Sequence, residues 1–169
     1  MKKTLLRVLL ASVLGIGAQV PSACAEDLDF QTFLRRWEEA QSRFLTGDPI
    51  PWKQHASQGG DATILGGFGG FEKGWSEVGP RYDWAAAQYK DSGAKLKVDY
   101  LSTGVSGDLG FTVAIERQEE VRLGAQGKPT QRVLRVTQVF RKEGGSWKLL
   151  HRHADPLLEK KTPSAIPEK

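Results

Sequence analysis

The sequence predicts an α+β domain in which N-terminal helices pack into a cone made by a curved antiparallel sheet. Three observations point there. Apolar residues recur at three- and four-residue steps over 27–45 and again over 75–89, the period of a helix with one buried face. Four later runs, within 95–154, alternate apolar and polar residues as half-buried strands do. Glycine clusters at 66–70 and 144–145 separate the elements. Helices followed by an antiparallel sheet make an α+β architecture.

The N-terminus comes first. Lys2, Lys3 and Arg7 precede an apolar run from Val8 to Val20, and Ala23, Cys24 and Ala25 offer a small-x-small cleavage site before Glu26. That is the charge and hydropathy pattern of a secretory signal peptide, expected over 1–25. The run is shorter than the roughly 20 residues a membrane-spanning helix needs, so no membrane span is expected. The location expected is periplasmic or secreted. A lipoprotein reading competes at Cys24, although Pro21 stands where such a signal has an aliphatic residue.

Cleavage changes the composition. Three of the 24 basic residues leave with the leader and all 20 acidic residues remain, so the mature domain carries about +1. No arginine-rich face with interleaved aromatics stands out. A near-neutral domain lacks the basic footprint of a phosphate-backbone binder, so nucleic acid is not an expected partner. Cys24 is the only cysteine, which leaves the mature chain without a disulfide or a thiolate site.

Phe30, Phe33, Leu34, Trp37, Ala40, Phe44 and Leu45 share one stripe of the first helix, which starts near Asp27 and ends at Gly47 and Pro49. Residues Ile50 to Gln58 hold a further helical turn. Asp61 to Leu65 reads as a strand running into Gly66, Gly67, Phe68, Gly69 and Gly70. That cluster lacks the G-x-x-x-x-G-K-[ST] order of a phosphate loop and reads as a hairpin connection. A second long helix runs from Trp75 to Tyr89, with Pro80 expected in its first turn. The strands are expected at 95–100, 109–118, 132–142 and 147–154, the last two joined through Gly144 and Gly145. Trp147, a large aromatic at the start of the last strand, reads as structural. Residues 158–169 are charged and proline-bearing and are expected to form a flexible tail.

The runs GGFGGFEKGW at 66–75, DWAAAQY at 83–89, GDLGFTVAIER at 107–117 and LRVTQVFRKEGGSWKLLHRHADP at 134–156 resemble the SnoaL-like, ketosteroid isomerase-like branch of the nuclear transport factor 2-like superfamily. The resemblance covers about Asp27 to Leu157, giving an expected domain at 26–157. It implies a cone-shaped fold whose concave face holds ligands and whose outer sheet face dimerises. It implies no particular activity, because this cone carries isomerases, cyclases, dehydratases, assembly hubs and binding proteins. Matched by position, the catalytic base of ketosteroid isomerase falls on Gly66, its oxyanion-hole tyrosine on Ala40 and its oxyanion-hole acid on Gln138. The first two cannot do that chemistry.

The turn at Gly144 and Gly145 sets a register for the last hairpin. If Glu143 faces Ser146, then Phe140 pairs with Leu149, Gln138 with His151 and Val136 with His153. One face then carries Val136, Gln138, Phe140, His151 and His153, mostly apolar with polar groups at one end, as a ligand pocket is. Arg135, Thr137, Val139, Leu150 and Arg152 take the other face. Glu116 points into the cone by the resemblance. His151 and Glu116 are the candidate catalytic acid-base pair, and Gln138, His153, Phe140, Val136 and Trp75 are candidate ligand contacts. The competing reading makes the two histidines ordinary sheet residues with satisfied nitrogens. His151, His153 and Glu116 lack a firm third ligand for a metal, and neither metal nor cofactor is expected. The partners expected are a small apolar or amphipathic molecule and a second copy of the chain. The function expected is ligand binding, with isomerase, cyclase or dehydratase chemistry or a homodimeric interaction module as alternatives.

Overall fold

A computed structural model describes residues 22–89, 92–124 and 127–160, with side chains from 28 onward. Most of the expected leader, 1–21, and of the expected tail, 161–169, lies outside the described residues. The elements run α1 (Ser22–Phe44), α2 (Ile50–Gln54), β1 (Thr63–Leu65), β2 (Glu72–Lys73), α3 (Trp75–Gln88), β3 (Lys95–Ser106), β4 (Leu109–Val121), β5 (Thr130–Glu143) and β6 (Ser146–Pro156).

The α1 stripe behaves as its period requires, with Phe30, Phe33, Leu34, Trp37, Ala40 and Phe44 all buried. Phe30, Phe33 and Trp37 meet Phe140 of β5 at ring distances of 5.6, 5.2 and 5.8 Å. Burying side chains of this size contributes roughly 1.5–3 kcal/mol each, and that packing holds the helix in the sheet. The short α2 adds Trp52, whose ring lies 4.4 Å from Trp37 and 4.6 Å from Phe44.

Strands β3 to β6 form the expected antiparallel meander. The full sheet has the order β2-β1-β6-β5-β4-β3, with β1 parallel to β6 and antiparallel to β2. The glycine-rich segment is therefore the connection of a hairpin, as its sequence predicts. On β4 the even-numbered residues from Gly110 to Gln118 are buried and the odd-numbered ones are more exposed. The even set faces the helices and defines the concave side. Register shifts interrupt the ladders at Tyr100/Ser102, Gln118/Val121 and Val139/Phe140. Such bulges bend a strand and raise its twist, which curves the sheet around α1.

Two expectations are corrected. Pro80 lies one turn deeper in α3 than the sequence suggests, since in a helix that begins at Trp75 it is the sixth residue. Its ring removes one backbone hydrogen bond from the helix interior. The register of the last hairpin is right at the turn, where Glu143 faces Ser146 and both glycines take positive φ (56° and 78°), and remains right as far as Phe140 facing Leu149. There Leu150 is left without a partner. Beyond it Val139 faces His151, Gln138 faces Arg152, Thr137 faces His153 and Val136 faces Ala154. One extra residue moves every later side chain of β6 to the other side of the sheet. Arg152 turns inward, and His151 and His153 turn outward.

Candidate functional site

The open half of the cone contains a cavity between α1, α2, α3, the glycine-rich loop and the concave sheet face. Its walls are apolar and aromatic, with Phe44, Trp52, Ile64, Phe68, Tyr82 and Tyr89 among them. Measured to the centres of water molecules, its free space is about 60 Å³. That is room for a few waters, so a larger guest must displace a wall.

The floor of the cavity is charged. Arg152 donates to Glu116 through both guanidinium nitrogens, Nη1 to Oε1 and Nη2 to Oε2, each at 2.8 Å. Only 6% of Arg152 and 2% of Glu116 is exposed. Burial opposes the charge on Arg152, but the Glu116 carboxylate beside it offsets that cost and leaves its pKa raised. The side-chain nitrogen of Gln41 adds a third donor, reaching Glu116 Oε1 at 2.7 Å while its oxygen accepts from Trp37 Nε1 at 3.2 Å. The bidentate pair is the strong form of this contact, and both carboxylate oxygens are engaged.

The rim carries two more arginines. Arg81 donates to the Gly69 carbonyl at 2.7 Å, lies 3.6 Å from Glu72 and stacks over Trp84. Arg132 donates to the Tyr89 hydroxyl, to Gln118 Oε1 at 3.5 Å and to the Gly67 carbonyl at 3.1 Å, with its guanidinium 4.4 Å above Phe68. Gly67 permits that approach, since a β-carbon there would sit 3.2 Å from Arg132 Nη2. Burial pushes the Tyr82 phenol up to about 12 and raises that of Tyr89. Both hydroxyls therefore stay neutral at physiological pH.

Deeper in the cone, Gln138 Oε1 accepts from Trp37 Nε1 at 3.2 Å and from Thr112 Oγ1 at 3.1 Å. Its amide nitrogen has no hydrogen-bond partner among the described residues.

The helix-filled cone has known counterparts. A protein of the nuclear transport factor 2 (NTF2-like) superfamily from Salmonella enterica superposes with a TM-score of 0.70 at 16% identity, covering 83% of this chain and 99% of that one. A proposed dehydratase of the NTF2-like family from Streptomyces avermitilis gives 0.67 at 18%, covering 82% and 100%. The association domain of CaMKII from C. elegans gives 0.57 at 13%, covering 77% and 97%. No curated protein matches the chain. The family model of the SnoaL-like domain matches residues 67–158, more than half of the sequence. This chain belongs to the SnoaL-like family.

Within this SnoaL-like cone the sequence-derived candidates separate. Glu116 lines the cavity. His151 does not join it, because the bulge at Leu150 puts the ring on the outer face, where its Nδ1 shares a 2.8 Å hydrogen bond with Thr63 Oγ1. His153 is exposed on the same outer face. Gln138, Phe140 and Val136 are on the concave side as expected, but they are packed under α1 or against Leu134 and Ala154 and do not line the cavity. Trp75 packs against the core beside Tyr82, at 6.4 Å, and also lies off the cavity. Gly66, where ketosteroid isomerase carries its base, lines the cavity with no side chain to offer.

Arg152, Arg132 and Gln41 are the residues that sequence reasoning missed. Gln41 left a signal, since it sits on the buried stripe between Trp37 and Phe44 where a polar residue needs a partner. Arg132 left little, because a charge at the start of a strand reads as solvated.

The outward imidazole has a measurable consequence. Burial, then the neighbouring His153, holds the His151 pKa below its usual value, and burial does the same for His55. The folded state therefore takes up protons at these rings less readily than the unfolded chain. The stability they contribute is full above about pH 6.5 and is lost as pH falls through the depressed folded values. Thermal melts between about pH 8 and about pH 5 should show a declining Tm on the acid side. The His55→Gln, His151→Gln double variant should flatten that decline, and an unchanged slope would contradict the assignment.

Proposed function

We propose that this SnoaL-like chain is an exported binding protein that holds a small amphipathic molecule in the cone. The observation that carries this reading is the cavity, whose aromatic and aliphatic walls surround a fixed, buried Arg152–Glu116 pair. Apolar walls with a few placed polar groups are the usual makeup of a ligand site. The acid-base alternative loses its geometry. His151 and Glu116 lie on opposite faces of the sheet, and Arg152 occupies both Glu116 oxygens.

Export rests on the leader pattern of residues 1–25. Dimerisation through the outer sheet face is supported by Leu109 and Phe111, 51% and 41% exposed beside Val139. The patch differs from the expected one, since Arg152 points inward and Leu150 is the bulged residue.

Native mass spectrometry of the protein purified from its own cells without prior fractionation reads all three points together. The expected species is a dimer of chains beginning at Glu26 that retains a low-mass adduct. A chain keeping residues 1–25 would refute export, and one beginning at a diacylated Cys24 would make the protein a membrane-anchored lipoprotein. A monomer free of any adduct would count against both binding and dimerisation.

A further inference from the structure

Three guanidinium groups surround the cavity, and two have a carboxylate. Arg152 is matched by Glu116, and Arg81 lies against Glu72. Arg132 has no acidic partner among the described residues and uses only neutral acceptors: a phenol oxygen, an amide oxygen and the Gly67 carbonyl. It is held between aromatic rings, with Phe68 at 4.4 Å and Tyr89 at 6.0 Å. A half-buried guanidinium gains most from an ionised acceptor, and its planar fork matches a carboxylate in bidentate fashion. The two matched pairs leave one surplus positive charge at the cavity, which suits a monoanion rather than a dianion.

We propose that the cone takes an amphipathic carboxylate, whose carboxylate docks on Arg132 in place of the Gly67 carbonyl while its apolar body enters between Phe68, Tyr89 and Leu134. This rests on the ligand-binding reading above and names the class of ligand. It also explains why the cavity is small. The loop from Gly66 to Phe71 is tied across the mouth by Arg132 on the Gly67 carbonyl and by Arg81 on the Gly69 carbonyl. A carboxylate that takes over Arg132 releases the first tie and lets Phe68 move off the opening. Phe71, at the end of the loop, is 77% exposed, so the ring contacts to be broken are those of Phe68 with Trp84, Tyr89 and Arg132.

The test compares matched probes. Phenylacetate, 2-phenylethanol and phenyl phosphate are titrated at neutral pH into the purified full-length protein and followed by the fluorescence and indole resonance of Trp52, which lines the cavity. Phenylacetate should bind at least about tenfold more tightly than 2-phenylethanol, the gain expected from a hydrogen bond to a charged group. Arg132→Gln should erase that preference, while Arg132→Lys should keep part of it. Equal affinity for acid and alcohol in the unaltered protein would overturn the carboxylate assignment and leave the binding reading standing, whether or not the variants fold. Tighter binding of phenyl phosphate would overturn it as well, in favour of a dianion. Failure of all three probes to reach Trp52 would overturn both readings.

Discussion

Replacing Arg152 with alanine should destabilise the protein by about 3–5 kcal/mol, because it leaves the Glu116 carboxylate buried with no counter-charge. Glu116 is 2% exposed and lines the cavity with Trp52, Tyr82 and Leu134, so the lost guanidinium leaves a carboxylate largely shut off from bulk water. For a domain of this size that loss is a Tm decrease of roughly 10 °C. Replacing both residues by leucine should recover most of the stability, since no charge is then buried and an apolar pair of similar volume often serves as well. Chemical denaturation of the three proteins decides the matter. A single variant within about 1 kcal/mol of the parent would mean that the pair is solvated and the cavity floor is not as described.

Trp147→Ala should cost about 3–5 kcal/mol as well, by a different route. The ring is 4% exposed, lies 4.9 Å from Phe30 and sits beneath the Lys142 ammonium at 5.1 Å, and its Nε1 donates to Asp29 Oδ2 at 3.0 Å. Removing it opens a cavity at the closed end of the cone, between α1 and the β5–β6 hairpin. Trp147 is not part of the ligand cavity wall, so binding of phenylacetate should persist wherever the variant is folded. Unchanged thermal stability with lost binding would reverse the structural assignment made from the sequence.

Helix α1 and most of strand β4 were legible because each keeps its period over the stretch that carries the core. The α1 stripe from Phe30 to Leu45 and the alternation on β4 from Leu109 to Gln118 placed the core and put Glu116 on the concave face. The site was less legible because it depends on a single bulge. Leu149 and Leu150 are both apolar, so the pattern along β6 gives no sign of the residue at which the strand changes phase, and a register taken from the turn propagates past it unchecked. The two histidines thereby displaced Arg152 from the reading. The sequence pairs the inward Glu116 with His151, and the structure gives that place to Arg152. Arg132 became visible only when the glycine-rich loop folded back over the sheet and brought Phe68 and Gly67 against its guanidinium.

On the binding function proposed above, the ligand enters the cone over the Arg152–Glu116 floor, and the histidine face of β6 takes no part. The five tryptophan indoles and the three imidazoles are separate reporters for it. A two-dimensional nitrogen-proton spectrum titrated with phenylacetate should move the Trp52 indole signal first and most, leaving Trp147 and the imidazoles of His151 and His153 unmoved. Shifts at His151 and His153 with a silent Trp52 would place the site on the outer face and contradict the account.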